Sequence, residues 1–192
     1  MLYSNKIIVN LIGFCWLVFL FYWIYKEASG VKKDTLKRQN QGIRILIGVL
    51  AVAAVWVISG HLLNLTIIPY AKVSQTGGVI LCAFGIGWAI WARKVLDVNW
   101  SSHPNIKQNH ELVQNGPYAI ARHPIYTGMT IAFVGTFIAA IPTWAGLGLL
   151  LLGVTRFVYR IPKEERFMTQ TFPTDYPIYK SRVRWALFPF IF

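Results

Sequence analysis

The chain is 192 residues long, 55% hydrophobic and only 14% charged, with a formal net charge of +12 at pH 7. With a mean hydropathy of +0.48, this balance excludes an ordinary soluble globular domain. The positive excess admits nucleic acid or a membrane surface as partner, and its placement along the chain decides between them.

Residues 7 to 25, IIVNLIGFCWLVFLFYWIY, carry no charge and are long enough to cross a hydrocarbon core of roughly 30 Å as a helix. Further apolar runs follow, so this segment reads as a retained span and not as a cleaved signal peptide. Those runs lie at about 45 to 65, 77 to 92, 125 to 141 and 143 to 159. The last two meet at Pro142, which predicts a tight antiparallel hairpin. Gly128, Ala132, Gly135 and Ala139 recur at helical spacing on one arm, and Gly146 and Gly153 on the other, a pattern that lets backbones approach closely in lipid. The expected fold is all-α: a bundle of five transmembrane helices forming one domain over residues 1–192, without internal repeats, in which a connector and C-terminal helices build a cofactor pocket.

With five spans, all of the 19 Lys and Arg residues except Lys6 and Lys72 fall on one side of the membrane. That asymmetry predicts an outside N-terminus and a cytosolic C-terminus, with the connector of residues 93 to 124 and the tail from residue 160 also in the cytosol. The basicity therefore reports topology, and too little soluble mass remains for a nucleic-acid-binding face. Cys15 and Cys82 both sit in predicted spans without CxxC or Cys/His ligand spacing, so neither a disulfide framework nor a metal site is expected.

The connector and the tail carry the chemistry. GPY at 116 to 118 reads as a turn, and Pro124 as the first residue of the fourth span, which puts His123 at a helix mouth. Arg122 and His123 there suit an anion, because unpaired N–H groups and the positive end of the helix dipole point the same way. Glu164 and Glu165, just past the fifth span, supply the opposite sign for an ammonium group or ribose hydroxyls. A hairpin returns both clusters to the same end. With Tyr118 and Tyr126 for stacking, one ligand bearing a carboxylate, an ammonium, a ribose and a base would use them all; S-adenosylmethionine is such a ligand, and many nucleotides and amino acids meet most of the same demands. By spacing alone, Arg160 and Glu164 read equally as an i,i+4 surface ion pair, Arg122 as a membrane anchor, and the tyrosines as interfacial aromatics. The tail from residue 160 is expected to form short amphipathic helices at the membrane surface.

Together, NHELVQNGPYAIARHPIYTG and, after an apolar hairpin, RIPKEE and YKSRV resemble the isoprenylcysteine carboxyl methyltransferase family and related phospholipid methyltransferases over about residues 100 to 185. The resemblance implies an integral-membrane methyltransferase that uses S-adenosylmethionine without a Rossmann domain. Consistently, the GxG triplets at 85 to 87 and 146 to 148 lie inside apolar spans and not after strands. It further implies that His110, Glu111, Leu112, Val113, Tyr118, His123, Pro124, Ile125, Tyr126 and Glu164 hold the cofactor and that Arg160 faces the substrate. Arg122 and Glu165 join the cofactor set on their chemistry, and Arg182 either holds substrate or neutralises lipid headgroups. The expected reaction is carboxyl methylation of a prenylated C-terminal cysteine or a similar lipophilic acid. N-methylation of a lipid amine is the alternative enzyme, with His123 or a glutamate taking a proton; a non-enzymatic membrane protein that binds a nucleotide-like ligand is the alternative of another class.

Overall fold

The computed structural model describes residues 6–30, 66–96 and 112–188. Helix α1 spans Lys6–Gly30, α2 Lys72–Leu96, a 3-10 turn Gly116–Ala119, α3 Pro124–Ala140, α4 Trp144–Thr171 and α5 Asp175–Arg182. Among the described residues there is no strand; an isolated bridge joins Thr66 to Thr143, and the Ile67 N–H donates to the Pro142 carbonyl at 2.7 Å. These bonds pin the chain ahead of α2 to the α3–α4 turn.

Helices α1, α2 and α4 are long and apolar enough to cross a membrane, and α3 is a shorter apolar helix. Thus the first, third, fourth and fifth expected spans are helices, whereas the second, at 45 to 65, lies outside the described residues. Pro124 opens α3, where a missing N–H leaves no hydrogen bond unmade. The Thr143 side chain caps α4 by accepting from the Gly146 N–H at 3.2 Å, satisfying a donor that the first turn leaves unpaired.

Two expectations need correcting. Instead of ending near residue 159, α4 continues through Pro162 to Thr171, so the basic and acidic stretch around 160 to 166 extends the spanning helix beyond its apolar part. Proline removes one backbone bond there, but the Arg160–Glu164 pair bridges that turn and Ile161 is buried against Ala186 and Leu187. Of the tail, α5 alone is a separate short helix among the described residues.

The second correction concerns the small-residue face of α3, which packs on α2 and not on α4. A methyl group added at Gly135 would lie 2.4 Å from the Cys82 nitrogen, at Gly85 2.5 Å from the Ala132 nitrogen, and at Gly128 2.6 Å from the Gly85 carbonyl oxygen. Helix α2 offers its own matching stripe of Gly78, Cys82, Gly85 and Ala89, so the two surfaces interlock at backbone contact. Gly146 instead meets Ile141, and Gly153 meets the Phe133 ring. Helix α1 closes this core: Ile8, Ile12 and Phe19 pack with Cys82, Ile86, Ala89, Ala132 and Ala139, and Trp16 Nε1 donates to Thr136 Oγ1 at 3.0 Å. Phe133 stacks on Trp16 at 5.4 Å and on Phe157 at 6.0 Å, joining α1, α3 and α4. Cys82 is buried, and neither it nor Cys15 forms a disulfide.

Candidate active site

The polar end of this bundle is assembled from the 112–127 segment, the far end of α4, α5 and the residues after it. Gly116 adopts φ +57°, a left-handed conformation open to glycine at little steric cost, and this turns the chain into the buried Pro117–Tyr118 pair. The Tyr179 hydroxyl donates to the Tyr118 carbonyl at 2.7 Å, fastening α5 over the turn. Tyr176, Tyr179 and Val183 form a small core there with Leu112, Met168 and Phe172.

Downstream of α5, the chain runs alongside the start of α3. Arg122 Nη1 donates to the carbonyls of Val183 at 2.8 Å and Arg184 at 2.6 Å. The Arg122 N–H donates to Trp185 at 3.0 Å, the His123 N–H to Ala186 at 2.9 Å, and Thr127 Oγ1 to Leu187 at 2.7 Å. Successive carbonyls from 183 to 187 thus all accept from one edge.

Glu164 and Glu165 face different partners. Glu164 Oε1 accepts from the Tyr126 hydroxyl at 2.7 Å and from Arg160 Nε at 2.5 Å. Glu165 takes Arg122 Nε at 2.7 Å on one oxygen and Lys180 Nζ at 2.6 Å on the other. His123 lies between them, with Nδ1 3.6 Å from Glu164 and Nε2 3.6 Å from Glu165. Its ring stacks near-parallel to Tyr126 at 5.7 Å, and Tyr126 on Phe157 at 4.7 Å. Burial disfavours the imidazolium, yet hydrogen bonding and charge from the two carboxylates outweigh it and raise the His123 pKa above its ordinary value. Glu165 shows the complementary balance: burial opposes its charge, but His123, Lys180 and Arg122 bring its pKa down to about 2.

The structure therefore brings Arg122, His123, Tyr126, Arg160, Glu164 and Glu165 into one network. It leaves other sequence candidates at the edge. Leu112 and Val113 are half-buried, Pro124 is buried and Ile125 is half-buried; Arg182 pairs with the Gln114 side-chain carbonyl. His110 and Glu111 lie outside the described residues. A concavity of about 400 Å³ opens on the Lys180 side of Glu165, lined by Pro162, Arg166, Thr169 and Gln170; His123, Tyr126 and Glu164 do not line it. Sequence reasoning missed Lys180 and Gln114 as partners and the carbonyls of 183 to 187, for which no side-chain pattern gives a signal.

A family model described as phospholipid methyltransferase matches residues 73–175, more than half of the chain and nearly all of α2 through the start of α5. The chain belongs to the phospholipid methyltransferase family. The match includes Arg122, His123, Tyr126, Arg160, Glu164 and Glu165, and stops before Arg182 and the 183–187 segment.

Among curated proteins, the chain is 35% identical over 77 residues to protein-S-isoprenylcysteine O-methyltransferase B of Arabidopsis thaliana, covering 40% of this chain and 39% of that one. It is also 35% identical over 85 residues to a probable protein-S-isoprenylcysteine O-methyltransferase of Oryza sativa subsp. indica, covering 44% of each. The chain spans less than half the length of these relatives. A solved structure of a eukaryotic intramembrane Ras methyltransferase, isoprenylcysteine carboxyl methyltransferase, superposes with a TM-score of 0.62 at 23% identity, covering 84% of this chain and 55% of that one. This family member therefore shares that fold.

Proposed function

We propose that the protein is a membrane methyltransferase that moves the methyl group of S-adenosylmethionine to the carboxylate of a lipophilic substrate such as a C-terminal prenylcysteine. The observation that carries this reading is the placement of Glu164 at the end of the apolar part of α4, in contact with Tyr126 and Arg160 and beside His123. The similarity to two isoprenylcysteine O-methyltransferases supports it.

The residues present fit the donor. Glu164 is held anionic by His123, Tyr126 and Arg160 against the opposing effect of burial, and its side chain keeps 28% exposure, so it can still receive an ammonium group. His123 Nε2 is buried with no hydrogen bond, the Glu165 carboxylate standing 3.6 Å away, so its polar demand is only partly met. Tyr126 and His123 add a flat aromatic face. We assign Glu164, His123 and Tyr126 to donor binding, with Tyr118, Leu112, Val113, Pro124 and Ile125 shaping its surroundings; His110 and Glu111, assigned with them by the resemblance, lie outside the described residues.

When bound, the donor supplies an electrophilic methyl on a sulfonium. An acceptor carboxylate that is already ionised attacks without a general base, so the work left to the protein is alignment and exclusion of water. We assign Arg160, 43% exposed at the side chain and one turn from Glu164, to the acceptor carboxylate, while Arg182, paired with Gln114, either holds substrate or neutralises lipid headgroups. The active site and C-terminus face the cytosol in this scheme, following the charge asymmetry.

One observation favours a second acceptor: the matching family model is described as phospholipid methyltransferase. Amine methylation releases a proton, with His123 or a glutamate as the candidate to take it. Purified protein given methyl-labelled S-adenosylmethionine with either a prenylcysteine or phosphatidylethanolamine separates the two. Label that alkali releases as methanol marks an ester and supports carboxyl transfer; alkali-stable label in lipid supports the amine. No label in either acceptor or in membrane extract overturns the enzyme reading.

A further inference from the structure

The sequence makes Arg122 an anion receptor at the mouth of α3. Its geometry is different. The Arg122 side chain is 8% exposed, its Nε is committed to Glu165, and its Nη1 is shared between two carbonyls. The backbone N–H groups of Arg122 and His123, which a ligand at the helix mouth would need, already donate to Trp185 and Ala186. A buried cation with this many fixed acceptors gains little from a further anion and loses much by releasing these.

We propose that Arg122 is a positioning residue: it clamps the 183–187 segment and Glu165 into one unit, and this clamp sets the placement of His123 and Glu164 without touching the methyl donor. The inference rests on the methyl-transfer reading for the role of His123 and Glu164, but not for the clamp itself. Three connections transmit the placement. Glu165 and Glu164 are consecutive on α4, so the bond that fixes one fixes the helix rotation that aims the other. His123 follows Arg122 directly and shares the same edge, its N–H held by Ala186. Ala186 and Leu187 pack on Ile161, with Tyr126 against them, so the segment also backs the ring that contacts Glu164. Lys180 closes the unit from α5 through the second Glu165 oxygen. Pre-organised supports of this kind decide how closely binding groups hold their working geometry.

The test uses the full-length protein in detergent or nanodiscs, with S-adenosylmethionine binding measured directly and amide exchange at His123 measured without donor. Arg122→Ala is expected to accelerate exchange at His123 and weaken donor binding about tenfold, the scale of a lost buried charged hydrogen bond. Arg122→Lys, which reaches Glu165 but lacks the planar fork for two carbonyls besides, is expected to restore binding in part. Thr127→Val removes the Leu187 bond and no charge; it is expected to show the same pair of changes in smaller measure, about threefold in binding, and carries the test if Arg122→Ala does not fold. Accelerated exchange with unchanged donor affinity in Thr127→Val overturns the positioning role. Lost affinity in Arg122→Ala with exchange unchanged also overturns it and returns Arg122 to direct donor contact. If the unaltered protein binds no donor, the methyl-transfer reading fails, while exchange at His123 in the Arg122 variants still reports whether the clamp exists.

Discussion

The two ends of helix α3 are held by opposite physics. Along its apolar length, glycine and alanine meet α2 at backbone distance, and among the described residues the cluster around them holds no charged side chain. At its polar mouth, Arg122 and His123 are fixed by carboxylates and by a run of carbonyls. The first contact has a fixed volume and fails when atoms are added. The second fails when charge is removed or pH moves. The comparison teaches that one helix can be rigid in lipid and adjustable at its end, because close packing in a membrane has no ionic component to screen or titrate.

The largest effect should come from filling the α2–α3 seam. Gly135→Leu places side-chain atoms where the Cys82 backbone lies 2.4 Å from the first of them, so the helices must part; a loss of about 3 kcal/mol or more is expected, read as a collapsed melting temperature in detergent. A well-folded variant would break the distinction between the two regions. Next comes Glu164→Gln, expected to lower kcat/KM for the donor about a hundredfold, in line with loss of charge-assisted bonds, while the melting temperature changes little. Parallel losses of activity and stability would place Glu164 among the structural ion pairs. Arg160→Ala should be smaller, about tenfold in kcat/KM for the acceptor and visible chiefly in its KM, since a partly exposed guanidinium contributes less than a buried one.

Thermal stability against pH sharpens the polar side. Because the folded pKa of His123 is raised above 6.5, its contribution is complete below 6.5 and is lost as pH rises through the raised value. Glu165, brought from 4.5 to about 2, contributes fully above 4.5 and loses that contribution as pH falls through about 2. Stability from this network is therefore greatest between about 4.5 and 6.5, and His123→Gln should flatten the alkaline decline; a decline of unchanged slope would assign it elsewhere. The smallest effect is the control, Gly77→Ala. A methyl there meets nothing within 4 Å and alanine favours helix, so stability should stay within about 0.5 kcal/mol or rise slightly.

Hydropathy alone located four helices at the first, third, fourth and fifth expected positions, three of them long and apolar enough to cross a membrane, because crossing lipid demands an uninterrupted apolar run with its hydrogen bonds made internally. The order of motifs singled out Arg122, His123, Tyr126, Arg160 and Glu164, which the fold brings into one network, although spacing alone reads them equally as surface pairs, anchors and interfacial aromatics. What the sequence left open is which partner each of these takes. Glycine spacing announces close approach and not with which helix, so α3 found α2 where the hairpin argument named α4. The apolar run ends near residue 159, yet the i,i+4 pair and the burial of Ile161 carry α4 onward through Pro162. Arg122 reads as an open cation, but five backbone carbonyls of a segment about 60 residues away bond the 122–127 edge. Every residue has a carbonyl, so that segment carries no mark in the amino-acid sequence. Composition and periodicity fixed what must be buried; three-dimensional folding chose the partners, because hydrogen bonds and backbone contacts depend on proximity that side-chain identity does not encode.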